Sequence, residues 1–421
     1  MRGAVLALLP LLATLGWGVA LAADNIVPVE VRQLCHSDRC NKLFVELTVC
    51  DAKRQCRTVP NVLVDTGSPG LRLFRDALDG LALDPVRTVD RRPLGNWSSF
   101  GSGELWGTMH WAQVRLGDLA TTEAIPIELF DEPSPDELLP AGYGSGDLRG
   151  QLGAMVGNGI LGISPHRHSP DGYFVYVGPG RTGWDADWFP VQLDKALQLA
   201  NPIAHFPAPY DNGSVIHLPE VDWCNGQRAA QGWLGFGLGP PTAVLFPQDR
   251  RVIAQELDKS HRFPLTLAKR QLDVTVDSGT NLLVLDLEHL GWARHGYFEN
   301  CYDPAALVPV ELAVGSTVDR VKLARPLYVG PADKLSKMFQ GYAVLPTIAT
   351  WPDPQQMSKA HRKKKNILGL PFFYGRAVAT GLEGVINPYL EPAPASALQG
   401  AGNAGADRAM ASRYGFVAYS D

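Results

Sequence analysis

The sequence predicts a mostly β, bilobal fold with an internal duplication about a pseudo-twofold axis and a few short helices. Three observations predict it. A load of 43 Gly and 33 Pro in 421 residues favours many turns over long helices. Segments of alternating apolar residues recur along most of the chain. One of them also has a twin, because "VLVDTGSPGLRL" (62–73) and "VTVDSGTNLLVL" (274–285) share the order Val-Asp-hydroxyl-Gly-hydroxyl-x-x-Leu.

Taken from the N-terminus, Arg2 precedes an almost wholly apolar or small stretch over 3–19, and Ala20-Leu21-Ala22 fits a small-x-small cleavage site. Residues 1–22 are therefore expected to be a signal peptide, with a secreted or periplasmic product. A membrane anchor is the alternative, but no charged stop-transfer flank follows, and no later stretch is long and apolar enough to span a bilayer. No stable anchor is expected after cleavage, and no propeptide is apparent before the first strands.

"KLFVELTVC" (42–50) and "CRTVPNVLVD" (56–65) read as a hairpin closed by Cys50 and Cys56, whose second strand delivers Asp65. "GTMHWAQVRLGDL" (107–119) and "AIPIELF" (124–130) alternate like strands, and 131–159 reads as loop. The spacing of Val191, Leu193, Ala196, Leu197 and Ala200 predicts a helix over 191–201. "NGSVIHLPEV" (212–221), "GWLGFGLG" (232–239) and "YGFVAY" (414–419) read as strands, the last preceded by a flexible tail over 391–413.

The six cysteines (Cys35, Cys40, Cys50, Cys56, Cys224 and Cys301) suit an oxidising compartment. Sequence leaves about 15 connectivities open; pairing of neighbours (35–40, 50–56, 224–301) is the simplest. A net charge of -5 gives no case for nucleic acid or an anionic membrane. The chain has no Gly-x-Ser-x-Gly elbow and no His-Glu-x-x-His, and its glycine-rich stretches do not follow strands as a dinucleotide fingerprint would. His166 and His168 in "HRH" read as a solvated loop rather than metal ligands. The basic run "HRKKK" (361–365) reads as a solvated loop, with an anionic partner as the alternative. No metal or cofactor is expected.

What remains is the repeated aspartate. Each copy is followed by Ile-Leu-Gly: Ile160-Leu161-Gly162, with Gly162 97 residues after Asp65, and Ile367-Leu368-Gly369, with Gly369 92 residues after Asp277. Two carboxyls brought together across a pseudo-twofold axis cannot both ionise comfortably, so the pair keeps a proton and holds an acid and a base at once. Such a pair can activate a water between its members. Gly67 and Gly279 allow close backbone approach, and Thr66, Ser68, Ser278 and Thr280 can hydrogen-bond to the carboxylates and to the opposite lobe.

On these residues the chain resembles the pepsin-like aspartic proteases, with further similarity to an uncharacterised group of secreted bacterial pepsin-like proteins in "VLVDTGS", "LGLPFFYGR" and the terminal "AY". The resemblance covers about 42–419. It implies a double-β-barrel fold with an N-terminal lobe over 23–240 and a C-terminal lobe over 241–421. It also implies catalytic Asp65 and Asp277, two crossing psi-loops at Ile160–Gly162 and Ile367–Gly369, and a flap in "FGSGELWG" carrying Phe100, Gly101, Ser102 and Gly103. The expected protein is a monomeric endopeptidase acting on an extended peptide without a cofactor. The sequence departs from the family at Phe100, where the flap usually has Tyr, and at Arg72, where the residue bracing it is usually Trp. Both halves of that contact are missing, which motivates a second reading, a weak or inactive peptide- or protein-binding protein.

Overall fold

The computed structural model describes residues 24–34, 40–100, 103–130, 156–178, 188–295, 301–315, 320–338, 341–352, 366–390 and 411–421. Leu43–Cys50 and Cys56–Asp65 form the expected antiparallel hairpin, with Cys50 opposite Cys56 and a disulfide between them. The last four residues of the second strand, Val62 to Asp65, are buried, so the apolar run carries the carboxylate into the interior.

After a tight turn the chain resumes as Pro69–Phe74, buried at every position. The strand Gly159–Ile163 then passes between the two arms, parallel to Val62–Asp65 and antiparallel to Pro69–Leu73. The second half repeats the plan. Arg270–Val276 leads to Asp277 and pairs in parallel with Asn366–Leu368, which also meets Val284 antiparallel. The glycine that ends each Ile-Leu-Gly is sterically required. A Cβ on Gly162 would stand 2.6 Å from the Ser68 carbonyl oxygen, and one on Gly369 2.1 Å from that of Leu282. The duplication read from sequence is thus a duplication of backbone topology.

Three sheets carry the fold, of seventeen, nine and two strands among the described residues. Residues 263–368 supply the nine-stranded sheet. In the larger sheet, six strands from the start, middle and end of the chain run side by side: Ile26–Val31, Ala230–Phe236, Gly213–His217, Ala377–Gly381, Phe416–Ser420 and Val252–Glu256. "YGFVAY" is the expected last strand, and it closes onto residues that precede Asp277. One apolar core contains Val64, Leu71 and Leu161 together with Val276, Leu283 and Leu368, so both crossed-strand units bury their apolar faces in common.

Leu94–Phe100 and Gly103–Leu116, the strands expected to form a flap, pair as a hairpin with Phe100 opposite Gly103; Gly101 and Ser102 lie outside the described residues. So do the signal segment 1–22, Cys35, the basic run 361–365 and nearly all of the loop 131–159 and the tail 391–413.

The helix expected over 191–201 does not form. Trp188–Val191 pairs as a strand with Tyr173–Tyr176, a single 3-10 turn covers Lys195–Leu197, and the chain then extends. Eleven residues make a marginal helix. Here the Leu199 amide donates to the Tyr173 hydroxyl (3.1 Å), the Ala200 amide to the Pro126 carbonyl (3.2 Å), and Asn201 caps the next turn. Leu199 and Ala200 are buried, so packing against the neighbouring strands uses the apolar residues that suggested a helix. Among the described residues the α-helix is Ala332–Met338, and no helix is long and apolar enough to cross a membrane.

Candidate active site

The two Asp-hydroxyl-Gly-hydroxyl turns meet where the crossed strands converge. Each middle hydroxyl reaches the other lobe. The Thr66 amide donates to Ser278 Oγ (3.1 Å) and the Ser278 amide to Thr66 Oγ1 (2.9 Å). Ser278 Oγ donates to the Val64 carbonyl (2.7 Å) and Thr66 Oγ1 to that of Val276 (3.3 Å). These reciprocal bonds are buried, which makes them costly to leave unmade, and they fix the register of one loop on the other.

The outer residues of each turn hold the carboxylates. Asp65 Oδ1 accepts from the Gly67 amide (2.7 Å) and Oδ2 from Ser68 Oγ (2.5 Å). Asp277 Oδ1 accepts from the amides of Gly279 (2.8 Å) and Thr280 (3.1 Å), and Oδ2 from Thr280 Oγ1 (2.6 Å). A Cβ on Gly67 would lie 2.6 Å from Asp277 Cγ, and one on Gly279 2.7 Å from Asp65 Oδ1. The glycines let the loops interleave, and each carboxyl sits against the opposite turn.

The environment sets the protonation. Burial, then the charge of Asp277, pushes the Asp65 carboxyl up to about 7, against the lowering effect of the Ser68 and Gly67 hydrogen bonds. A hydrogen bond between the two carboxyls acts in the same upward direction. The raised Asp65 pKa and the interleaved turns are what a shared proton requires.

The dyad opens on a cavity of ≈ 350 Å³ lined by Asp65, Asp277, Phe100, Asp171, His166 and His261, among others. Arg72, read from sequence as a missing brace, does reach Phe100. Its guanidinium carbon lies 5.4 Å from the Phe100 ring centroid, a cation–π contact in place of an aromatic hydrogen bond. The side chain is completely buried. Nε pairs with Glu128 (2.9 Å), a second nitrogen with Asp171 and Ser98 (2.5 and 2.9 Å), and Nη1 with the Pro69 carbonyl (2.8 Å). Glu128 was not singled out from the sequence. The available signal was one lone charge in each of two apolar strands, and the structure pairs those strands with Arg72 opposite Glu128.

Two further groups escaped sequence reasoning. Lys42 is buried and donates to the Gly279 carbonyl (3.0 Å), while Asn41 bonds the Asn281 carbonyl (2.9 Å), Leu345 and Tyr374. The lead-in to the first hairpin thereby braces the second aspartate loop. His166 lies in a loop, as expected, with its side chain partly exposed, but its ring also stands edge-on to His261, centroids 3.9 Å apart, where the connector between the two sheets meets the exit of the first crossing strand. Burial pushes the His261 imidazole down to about 4, helped by His166 and opposed by Glu383 and Asp258. His166 is lowered by burial too, against Glu383 and Asp171.

The 224–301 disulfide is not formed. Cys224 is exposed in a turn, whereas Cys301 points into a cluster with Ala332, Leu335, Leu345 and Ile348, where burial pushes its thiol up to about 12. Cys40 is buried in the same cluster, and its expected partner Cys35 lies outside the described residues. No cluster of three or more metal-ligating side chains occurs among the described residues.

No curated protein matches the chain. Among solved structures it is similar to the crystal structure of an aspartic proteinase from Irpex lacteus, at 14% identity and a TM-score of 0.47, covering 85% of this chain and 93% of that one. Residues 21–397 match the model of the family described as "Protein of unknown function (DUF3443)", and the chain belongs to that family.

Proposed function

We propose that the protein is an aspartic endopeptidase that hydrolyses extended peptides with a water held between Asp65 and Asp277. The observation that carries this reading is the reciprocal turn geometry with one carboxyl held protonated up to about pH 7. Asp65 supplies the proton of the pair and Asp277 the base. Water attacks the scissile carbonyl carbon while Asp277 takes its proton and the Asp65 proton moves to the carbonyl oxygen, giving a tetrahedral diol. The diol collapses as Asp277 protonates the amide nitrogen, the C–N bond breaks, and a diol hydroxyl returns its proton to Asp65. The arrangement supplies positioning as well as acid–base chemistry, since the inter-lobe bonds hold both carboxyls before substrate arrives.

The Arg72–Phe100 contact supports a working flap, because it fills the position whose loss motivated the binding-only reading. The expected signal peptide over 1–22 supports export to the periplasm or the medium, where a monomer would meet unfolded chains. The test is hydrolysis of an unstructured protein between pH 3 and 7, with and without a statine-type transition-state inhibitor, beside Asp65→Asn and Asp277→Asn. Turnover that the inhibitor blocks and both variants lack is expected. A folded wild-type protein that cuts nothing over this range overturns the proposal and leaves the binding reading.

A further inference from the structure

The two aspartate turns repeat each other in backbone, yet their donors do not match. Among the described residues, and apart from the bond between the two carboxyls, Asp65 accepts from the Gly67 amide and the Ser68 hydroxyl. Asp277 accepts from the Gly279 amide, the Thr280 hydroxyl and, in addition, the Thr280 amide (3.1 Å). The carbonyl of that same peptide unit belongs to Gly279, and it accepts from Lys42 Nζ (3.0 Å). A continuous line of donors therefore runs from the Lys42 ammonium through one peptide group to Asp277 Oδ1. The first turn has no counterpart, since nothing among the described residues donates to the Gly67 carbonyl.

Lys42 is buried, and its place is fixed from behind. Its neighbour Asn41, also buried, takes left-handed backbone (φ 51°), a conformation that asparagine tolerates. The Asn41 amide donates to the Ala343 carbonyl (2.6 Å), and Nδ2 donates to the carbonyls of Asn281 (2.9 Å) and Leu345 (2.7 Å). Its Oδ1 accepts from the Leu345 amide (2.9 Å) and the Tyr374 hydroxyl (2.8 Å). Two adjacent residues of the lead-in thus bond the second aspartate loop at Gly279 and at Asn281.

Hydrogen bonds in a chain polarise one another, and a charged donor at one end strengthens the next bond. A carboxylate that accepts more and stronger bonds holds negative charge more readily. We propose that Lys42 is a positioning residue of the dyad: acting through the Gly279–Thr280 peptide, it places the negative charge of the pair on Asp277 and leaves the shared proton to Asp65. This deepens the endopeptidase reading, from which it takes the roles of base and acid. The charge on Asp277 is in turn one of the causes that push the Asp65 carboxyl up to about 7. Asp171, His166, His261 and Arg262 also line the cavity, but none of them hydrogen-bonds either carboxyl of the pair among the described residues.

Carboxyl carbon-13 titration of wild type, Lys42→Met and Lys42→Arg tests this without turnover. The pair takes up its two protons in two steps, and Asp65→Asn and Asp277→Asn spectra assign them. In Lys42→Met the lower step is expected about one pH unit higher, roughly tenfold in proton affinity, with the upper step nearly unchanged. Lys42→Arg keeps a cationic donor and should stay nearer to wild type. A lower step unmoved in Lys42→Met, two steps that move together as a loosened loop would make them, or Lys42→Arg shifting as far as Lys42→Met overturns the proposal. If neither variant folds, wild-type protein carries the test. Its Thr280 amide proton is expected downfield of that of Ser68 and should move upfield as Nζ loses its proton at alkaline pH; a Thr280 amide that ignores that step overturns the proposal. A wild type that cuts nothing defeats the endopeptidase reading but leaves these titrations to stand or fall alone.

Discussion

Replacing Arg72 by methionine should be among the most damaging single substitutions in the first half of the chain. Methionine roughly keeps the length and apolar stem of the side chain and removes only the guanidinium. Glu128 then remains as a carboxylate with no exposure, facing an apolar strand. Breaking one side of a buried pair costs about 3–5 kcal/mol, because the remaining carboxylate loses its guanidinium. Asp171 adds little to this cost, being able to turn toward solvent. In a chain of this size such a loss lowers the melting temperature by roughly 5 °C. Reversible urea unfolding followed by tryptophan fluorescence measures it, with the double variant Arg72→Met/Glu128→Leu as the control. The double variant removes both buried charges and should recover about 2 kcal/mol or more over the single one. A single variant within about 1 kcal/mol of wild type, or a double variant less stable than the single, refutes the view that this pair is a buried, mutually dependent brace.

Three other expectations follow from the same structure. Asp65→Asn should be more stable than wild type above pH 7 and similar to it near pH 4. The folded state keeps a proton that the unfolded chain releases above its ordinary pKa of 3.8, so wild-type stability falls as pH rises toward about 7, by up to ~1.4 kcal/mol per pH unit; parallel melting curves across pH would disprove it. His261 has the opposite sign. Its folded pKa of about 4 lies below the ordinary 6.5, so stability is lost as pH falls between those values, and His261→Phe should flatten that limb of a pH–stability profile. A thiol reagent added to native protein should label Cys224 and spare Cys301 until the protein unfolds; peptide mapping that finds both labelled equally contradicts the burial described.

The crossed-strand duplication was legible because it is written in contiguous residues: the two aspartate turns and the two Ile-Leu-Gly strings each occupy one short stretch. The disulfide at Cys50 and Cys56 was legible for the same reason, as the two residues close one hairpin. What sequence missed depends on pairing between distant strands. Arg72 and Glu128 each looked like an anomaly in an apolar strand, and their mutual neutralisation follows only once those strands lie in register. His166 meets His261 from 95 positions away, and Lys42 reaches the second aspartate loop from the first hairpin. The pairing of Cys224 with Cys301 failed because a disulfide needs converging Cβ vectors, which neighbourhood in a list of cysteines does not supply. The helix over 191–201 failed because an apolar face at helical spacing can also be buried piecemeal, by an extended segment bonded to Tyr173 and Pro126.

The central claim is that Asp65 and Asp277 hold one proton between them. Carbon-13 NMR of protein labelled at the aspartate carboxyls tests it most directly, with Asp65→Asn and Asp277→Asn spectra to assign the pair. One carboxyl signal is expected to titrate near pH 7, to disappear in Asp65→Asn, and to move to lower pH in Asp277→Asn once the neighbouring charge is gone. If every aspartate has ionised by about pH 5 and neither substitution removes a late-titrating signal, the two carboxyls do not share a proton and the proposed chemistry fails.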